Sequence, residues 1–197
     1  PTVKIEEDRP PFSFSEEKLL SYTQMKKKRS SLSSSLDCLL PKGAETGLFL
    51  HEILEKIPSF SLDKVQVKGT IYEAYEEEIL KLFERLFNLP LIKGKALKEL
   101  SSMRMQREVS FTYPHESHFI HGVIDLVIEV DGEIYIIDWK SHALNDFSEK
   151  TLEKVVELED YPLQAKLYLE AARRHFGNVK EVLFVFLRGP GVYRWIP

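Results

Sequence analysis

Hydrophobic and polar positions alternate most regularly between Gly122 and Ser141, in GVIDLVIEVDGEIYIIDWKS. Two apolar runs of period two flank Asp131-Gly132, a dipeptide that favours a two-residue hairpin turn with both residues at positive φ. In that register the numbers of facing residues have a constant sum. Val130 opposes Glu133, Ile128 opposes Tyr135, and Asp125 opposes Asp138. One predicted face carries Val123, Asp125, Val127, Ile134, Ile136, Asp138 and Lys140. The other carries Ile124, Leu126, Ile128, Tyr135, Ile137 and Trp139. Both faces are apolar, so both are expected to be covered, as in an α/β sheet.

Elsewhere the periodicity is helical or weaker. AETGLFLHEILEKI, residues 44–57, places Leu50, Ile53, Leu54 and Ile57 on one stripe and predicts a helix. Residues 1–14 read as an extended arm, and Ser15 as the cap of a helix to about Arg29. Thr70 is expected to cap a helix ending near Phe87, with a short helix near Lys95–Met103 and a strand in MQREVSFTY. Beyond the hairpin a helix is expected from Ser148 to Leu158. A second follows in YPLQAKLYLEAARRHFG, with Pro162 in its first turn and Gly177 as its stop. EVLFVFLRG and GVYRWI read as strands broken by Gly189-Pro190-Gly191. Helices, three strands, a helix and two strands in that order predict an α/β sheet containing an antiparallel hairpin, with helices on both faces.

Composition narrows the setting. At 197 residues the chain fits an N-terminal arm and helix over 1–40 and one domain over 41–197. Hydrophobic content of 43% and charged content of 29% are those of a globular protein, and no stretch is long and apolar enough to span a bilayer, so no membrane partner is expected. A single cysteine, Cys38, excludes an internal disulfide and suits a reducing cytoplasm. The first residue is Pro1, as expected of a piece of a longer protein. Net charge is −4 and the pI about 5.9. That excludes an autonomous nucleic-acid clamp, which is usually basic. Either the substrate is not nucleic acid, or something else delivers it.

The chemistry centres on the hairpin. Two carboxylates on one apolar face repel, and each loses hydration. A divalent cation would resolve that conflict. The alternative is a structural Asp–Lys pair, with the second Asp protonated or at a wet edge. His51 borders the helical stripe four residues before Glu55, and spacing alone favours a surface His–Glu pair. Glu108 opens the strand before the hairpin and either joins the site or points to water. Lys26–Arg29 reads as a solvated helix end. Gln164 and Tyr168 are i, i+4 neighbours with Tyr161 one turn earlier. Spacing alone also allows an amphipathic helix with tyrosines at the core boundary.

An Asp, then Asp-x-Lys on the next strand, then a helix, resembles the PD-(D/E)xK nucleases. PKGAETGLFLHEILE, the hairpin, YPLQAKLYLEA and FVFLRGPGVYR together, in order, resemble the C-terminal nuclease domains of the RecB family. The resemblance runs from about Pro41 to the C-terminus and implies a restriction-endonuclease-like core that hydrolyses DNA. By it, His51, Asp125, Asp138 and the backbone carbonyl of Trp139 hold the metal, which overrides the surface-pair reading of His51. Lys140 is the catalytic lysine. Gln164 and Tyr168, with Tyr161, support the site and the DNA strand, and Glu108 is an upstream acid. Trp139 and His142 depart from the residues usual at those places. Mg²⁺ is the implied cofactor, with Mn²⁺ as a substitute. The implied partners are DNA, delivered as a single strand by RecC- and RecD-like helicase subunits, and RecA. Two rival expectations stand beside this: a non-catalytic docking module for RecA or a sister subunit, and the nuclease part of an AddA-type or stand-alone exonuclease.

Overall fold

The computed structural model describes residues 19–21, 40–115, 118–144, 146–189 and 191–197. Its centre is a mixed sheet of six strands. The longest, β5 (His118–Val130), pairs antiparallel along one edge with β4 (Arg104–His115). Along its other edge lie β6 (Glu133–Lys140), antiparallel, and β1 (Leu19–Ser21), parallel to residues 119–121. The sheet continues from β6 to β7 (Val179–Phe186), parallel, and to β8 (Val192–Trp195), antiparallel.

The Asp131-Gly132 turn forms as the sequence predicts. Both residues have positive φ, 51° and 78°, and the ladder runs from Val130↔Glu133 to Leu126↔Ile137. There it stops. Asp125 and Asp138 would be the next pair, and the expected direct opposition does not form. Asp125 instead accepts the Trp139 N–H with its side chain. The β4–β5 ladder also skips the step between Glu108 and Asp125, where Glu108 adopts φ 49°. Such irregularities turn a strand about its axis. As a result Ile124 packs in one cluster with Val127, not with Leu126 as strict alternation predicted.

Helices cover both faces, as expected. α1 (Ala44–Lys56) and α2 (Glu76–Phe87) pack on Leu126, Ile128, Ile137 and Trp139. α3 (Glu149–Glu159) and α4 (Tyr161–His175) pack on Val127, Ile136, Val182 and Phe184. They form the crossover between the parallel strands β6 and β7. Each large aliphatic or aromatic side chain so enclosed contributes about 1.5–3 kcal/mol.

Three local expectations are corrected. Leu19–Ser21, inside the predicted N-terminal helix, is a strand, and the rest of that segment, including Lys26–Arg29 and Cys38, lies outside the described residues. The part of β5 beyond the β6 ladder would otherwise leave an unpaired backbone edge, which β1 satisfies. Thr70 does not start the second helix. Its Oγ1 accepts the Tyr72 N–H in a turn, a 3₁₀ turn follows at Glu73–Tyr75, and α2 begins where Glu76, Glu77 and Glu78 complement the helix dipole. The predicted helix near Lys95–Met103 is a small hairpin, β2 (Pro90–Ile92) with β3 (Lys95–Ala96), and a 3₁₀ turn over Leu97–Ser102. Lys93 and Gly94 take positive φ between them, and only the glycine announces that turn in the sequence.

Candidate active site

The C-terminal end of β6 carries Asp138, Trp139 and Lys140 on alternate faces. Asp138, 3% exposed, lies on the α4 side. Its Oδ2 accepts hydrogen bonds from Tyr168 Oη at 2.6 Å and Gln164 Nε2 at 2.9 Å. Its Oδ1 lies 2.6 Å from Lys140 Nζ, which also donates to Gln164 Oε1 at 2.9 Å. Gln164 and Tyr168 reach Asp138 together because they are one turn apart on α4. The Lys140 ammonium sits 4.6 Å from the Tyr161 ring centre, and that ring stacks on Phe184 at 4.6 Å. An ammonium over an aromatic face is held by the ring's quadrupole. Tyr161, Gln164 and Tyr168 are all buried and bonded inward. Tyr161 was expected to support a bound strand directly. Its enclosed ring supports Lys140 instead.

Asp125 meets this group from β5. Its Oδ2 accepts the Trp139 N–H at 2.6 Å and lies 3.8 Å from His51 Nδ1 on α1. α1 can lie this close because residue 47 is glycine, where a Cβ would collide with Ser141 Oγ. Burial pushes the Asp125 carboxyl up to about 8, with the Asp138 charge adding to it and the Trp139 N–H and Lys140 opposing. Burial also lowers the His51 imidazole, against the pull of Asp138, and so favours the neutral ring with a free lone pair. The Tyr168 phenol is held well above its usual range by burial, then by the Asp138 charge, so it remains a donor. Glu108 borders the site from β4, exposed. Its carboxyl is raised by partial burial and then by Glu55 and Asp138.

The structure therefore brings His51, Asp125, Asp138, Trp139 and Lys140 together, with Gln164, Tyr168 and Tyr161 beneath and Glu108 at the rim. Among the described residues no three His, Cys, Asp or Glu side chains are already gathered at metal-ligand spacing. Asp138 is turned toward Lys140, Gln164 and Tyr168, an orientation that strand spacing did not reveal. The donor set nevertheless fits a hard divalent cation: two carboxylates whose repulsion is unrelieved, and an imidazole that burial keeps deprotonated.

A mixed sheet with an Asp and an Asp-x-Lys meeting at the open end of a hairpin, backed by Gln-x-x-x-Tyr on a crossover helix, defines a restriction-endonuclease-like fold. The sequence pattern of the PD-(D/E)XK nuclease superfamily matches residues 11–193, and the chain belongs to that superfamily. Within it the chain is similar to the RecBCD enzyme subunit RecB of Chlamydia pneumoniae, 32% identical over 95% of this chain and 20% of that protein. It is 25% identical to the same subunit of Escherichia coli K12, over 76% of this chain and 17% of the relative. It is also 25% identical, over 73% of this chain and 14% of the relative, to the AddA-type component of the ATP-dependent helicase/nuclease of Bacillus pumilus. The chain thus spans about a fifth of the length of the RecB relatives, or less. Among the described residues no helix is long and apolar enough to cross a membrane.

Proposed function

We propose that this chain hydrolyses DNA phosphodiester bonds with a divalent cation, Mg²⁺ or Mn²⁺ in its place, held by Asp125, Asp138, His51 and the Trp139 backbone. The observation that carries this reading is the buried Asp125 carboxyl, destabilised by Asp138 and lying beside a deprotonated His51. When bound, the cation supplies Lewis-acid polarisation of the phosphate and acidification of water. The protein's own groups do the rest. Gln164 and Tyr168 fix the orientation of Asp138. Lys140, steadied by Gln164 and the Tyr161 ring, orients the attacking water and offsets negative charge growing on the phosphate. Water oxygen bonds to phosphorus, the P–O ester bond breaks, and the departing alkoxide takes a proton.

The net charge of −4 gives little electrostatic grip on DNA. It accords with a nuclease whose single strand is delivered by helicase subunits. The name RecBCD marks those relatives as parts of a complex, and we place this chain in a comparable cytoplasmic assembly for recombinational repair, with RecC- and RecD-like partners. The test is cleavage of end-labelled single-stranded and duplex DNA with Mg²⁺, with Mn²⁺ or with chelator. Single-strand cleavage that chelator abolishes is expected. Cleavage indifferent to chelator would overturn the metal reading. A module that only docks RecA or a sister subunit would bind neither cation in a calorimetric titration.

A further inference from the structure

Arg188 follows β7 and is only 7% exposed. Its Nη2 donates to Pro41 O at 2.9 Å and its Nη1 to Leu40 O at 3.5 Å, while Nε has no partner among the described residues. The guanidinium is thus bonded to neutral carbonyls rather than to any carboxylate of the described residues. A buried cation in that condition is costly until an anion completes it.

Arg188 lines a cavity of about 360 Å³ together with Gly43, Ala44, Ser141, His142 and Ala143. The first turn of α1 opens at the same place. Its N-cap is Gly43, at φ 134°, and no described side chain caps it. The amide groups of that turn and the positive end of the helix dipole therefore meet a buried guanidinium at one cavity, an arrangement suited to a phosphate oxygen. The cavity wall continues into Trp139 and Lys140, next to the proposed catalytic cluster.

We infer that this cavity holds a non-scissile phosphate of the strand being cut, bound by Arg188 and by the amides that begin α1. This rests on the nuclease reading above. The phosphate is either a diester within the strand or a monoester at its end.

Fluorescence anisotropy of the 197-residue chain with a single-stranded oligonucleotide in chelator reads binding without cleavage. Arg188→Met is expected to weaken binding about tenfold. It should also lower the slope of log K against log salt by about 0.7, the share of one phosphate on a single strand. Ala143→Glu leaves Arg188 and its carbonyl partners in place, puts a negative charge in the cavity, and should weaken binding comparably. Thermal melts show that each variant folds. A neutral methylphosphonate walked along the strand should weaken wild-type binding at one position and have no effect there in Arg188→Met. An internal position identifies a diester, whereas a tenfold loss on removing a terminal phosphate identifies a monoester. Unchanged affinity and slope in Ala143→Glu, with the same methylphosphonate profile in wild type and Arg188→Met, would overturn the proposal and leave Arg188 as a strap on Leu40 and Pro41. Cleavage in Mg²⁺ is measured separately. An Arg188-dependent phosphate profile without cleavage would support the cavity and reject the nuclease reading.

Discussion

The two ends of the β5–β6 hairpin carry similar charges in opposite surroundings. At the turn, Lys93 pairs with Glu133 at 2.9 Å and with Asp131 at 3.2 Å, and Lys180 reaches Glu133 at 3.5 Å. These side chains are 35–57% exposed, and opposite charges alternate. At the open end, Asp125 and Asp138 are 15% and 4% exposed, and one lysine serves both. Water screens the turn end, so its pairs count for little. The open end has no such screening, and its two negative charges are offset chiefly by Lys140. The same ribbon thus has an end that is merely soluble and an end that stores unfavourable electrostatics for use.

Four measurements break or sharpen this contrast. Asp138→Ala is expected to lower DNA cleavage by about a thousandfold or more with the fold retained, as judged by circular dichroism. Full activity of that variant in Mg²⁺ would end the proposed mechanism. Lys140→Gln should cost about a hundredfold in rate yet keep its calorimetric cation affinity. Loss of cation binding would reassign Lys140 to structure.

The third measurement follows the Asp125 carboxyl. Its folded-state value, raised to about 8 from 3.8, means that the metal-free fold binds this proton more tightly than the unfolded chain. Stability from this group is complete below pH 4 and is lost as pH rises through the window from about 4 to 8. Asp125→Asn keeps an acceptor for the Trp139 N–H and removes the titration. In chelator it should stabilise the domain at pH 8 by a few kcal/mol, at ~1.4 kcal/mol for each tenfold difference in proton affinity between the folded and unfolded chain, and much less at pH 5. Equal effects at both pH values would refute the burial argument. The smallest change belongs to the turn. Lys93→Ala should move stability by less than about 1 kcal/mol and leave cleavage alone. A large loss there would show that the two ends are coupled.

How far the sequence shows this in advance depends on the range of the interactions. The hairpin is legible because Asp131-Gly132 fixes turn and register locally, and α1 and α4 are legible from their stripes. The Gln164–Tyr168 spacing is local too, but that both side chains converge on Asp138 depends on how α4 crosses the sheet. β1 is not legible, since Leu19–Ser21 becomes a strand only because β5 offers a free edge. The switch of faces between Ile124 and Leu126 comes from Glu108 at positive φ on another strand, so counting along β5 cannot find it. Arg188 stands beside Gly189-Pro190-Gly191, which reads as a turn and hides a cation that folding encloses.

Trp139 is used twice. Its indole is 5% exposed and belongs to the cluster under α1 and α2, while its peptide N–H faces Asp125. Every side chain shares that amide except proline's. A mutational scan of position 139 would therefore label it a core anchor, with damage graded by volume, and would stay blind to its second duty. Only backbone chemistry, such as an ester in place of the amide, separates the two.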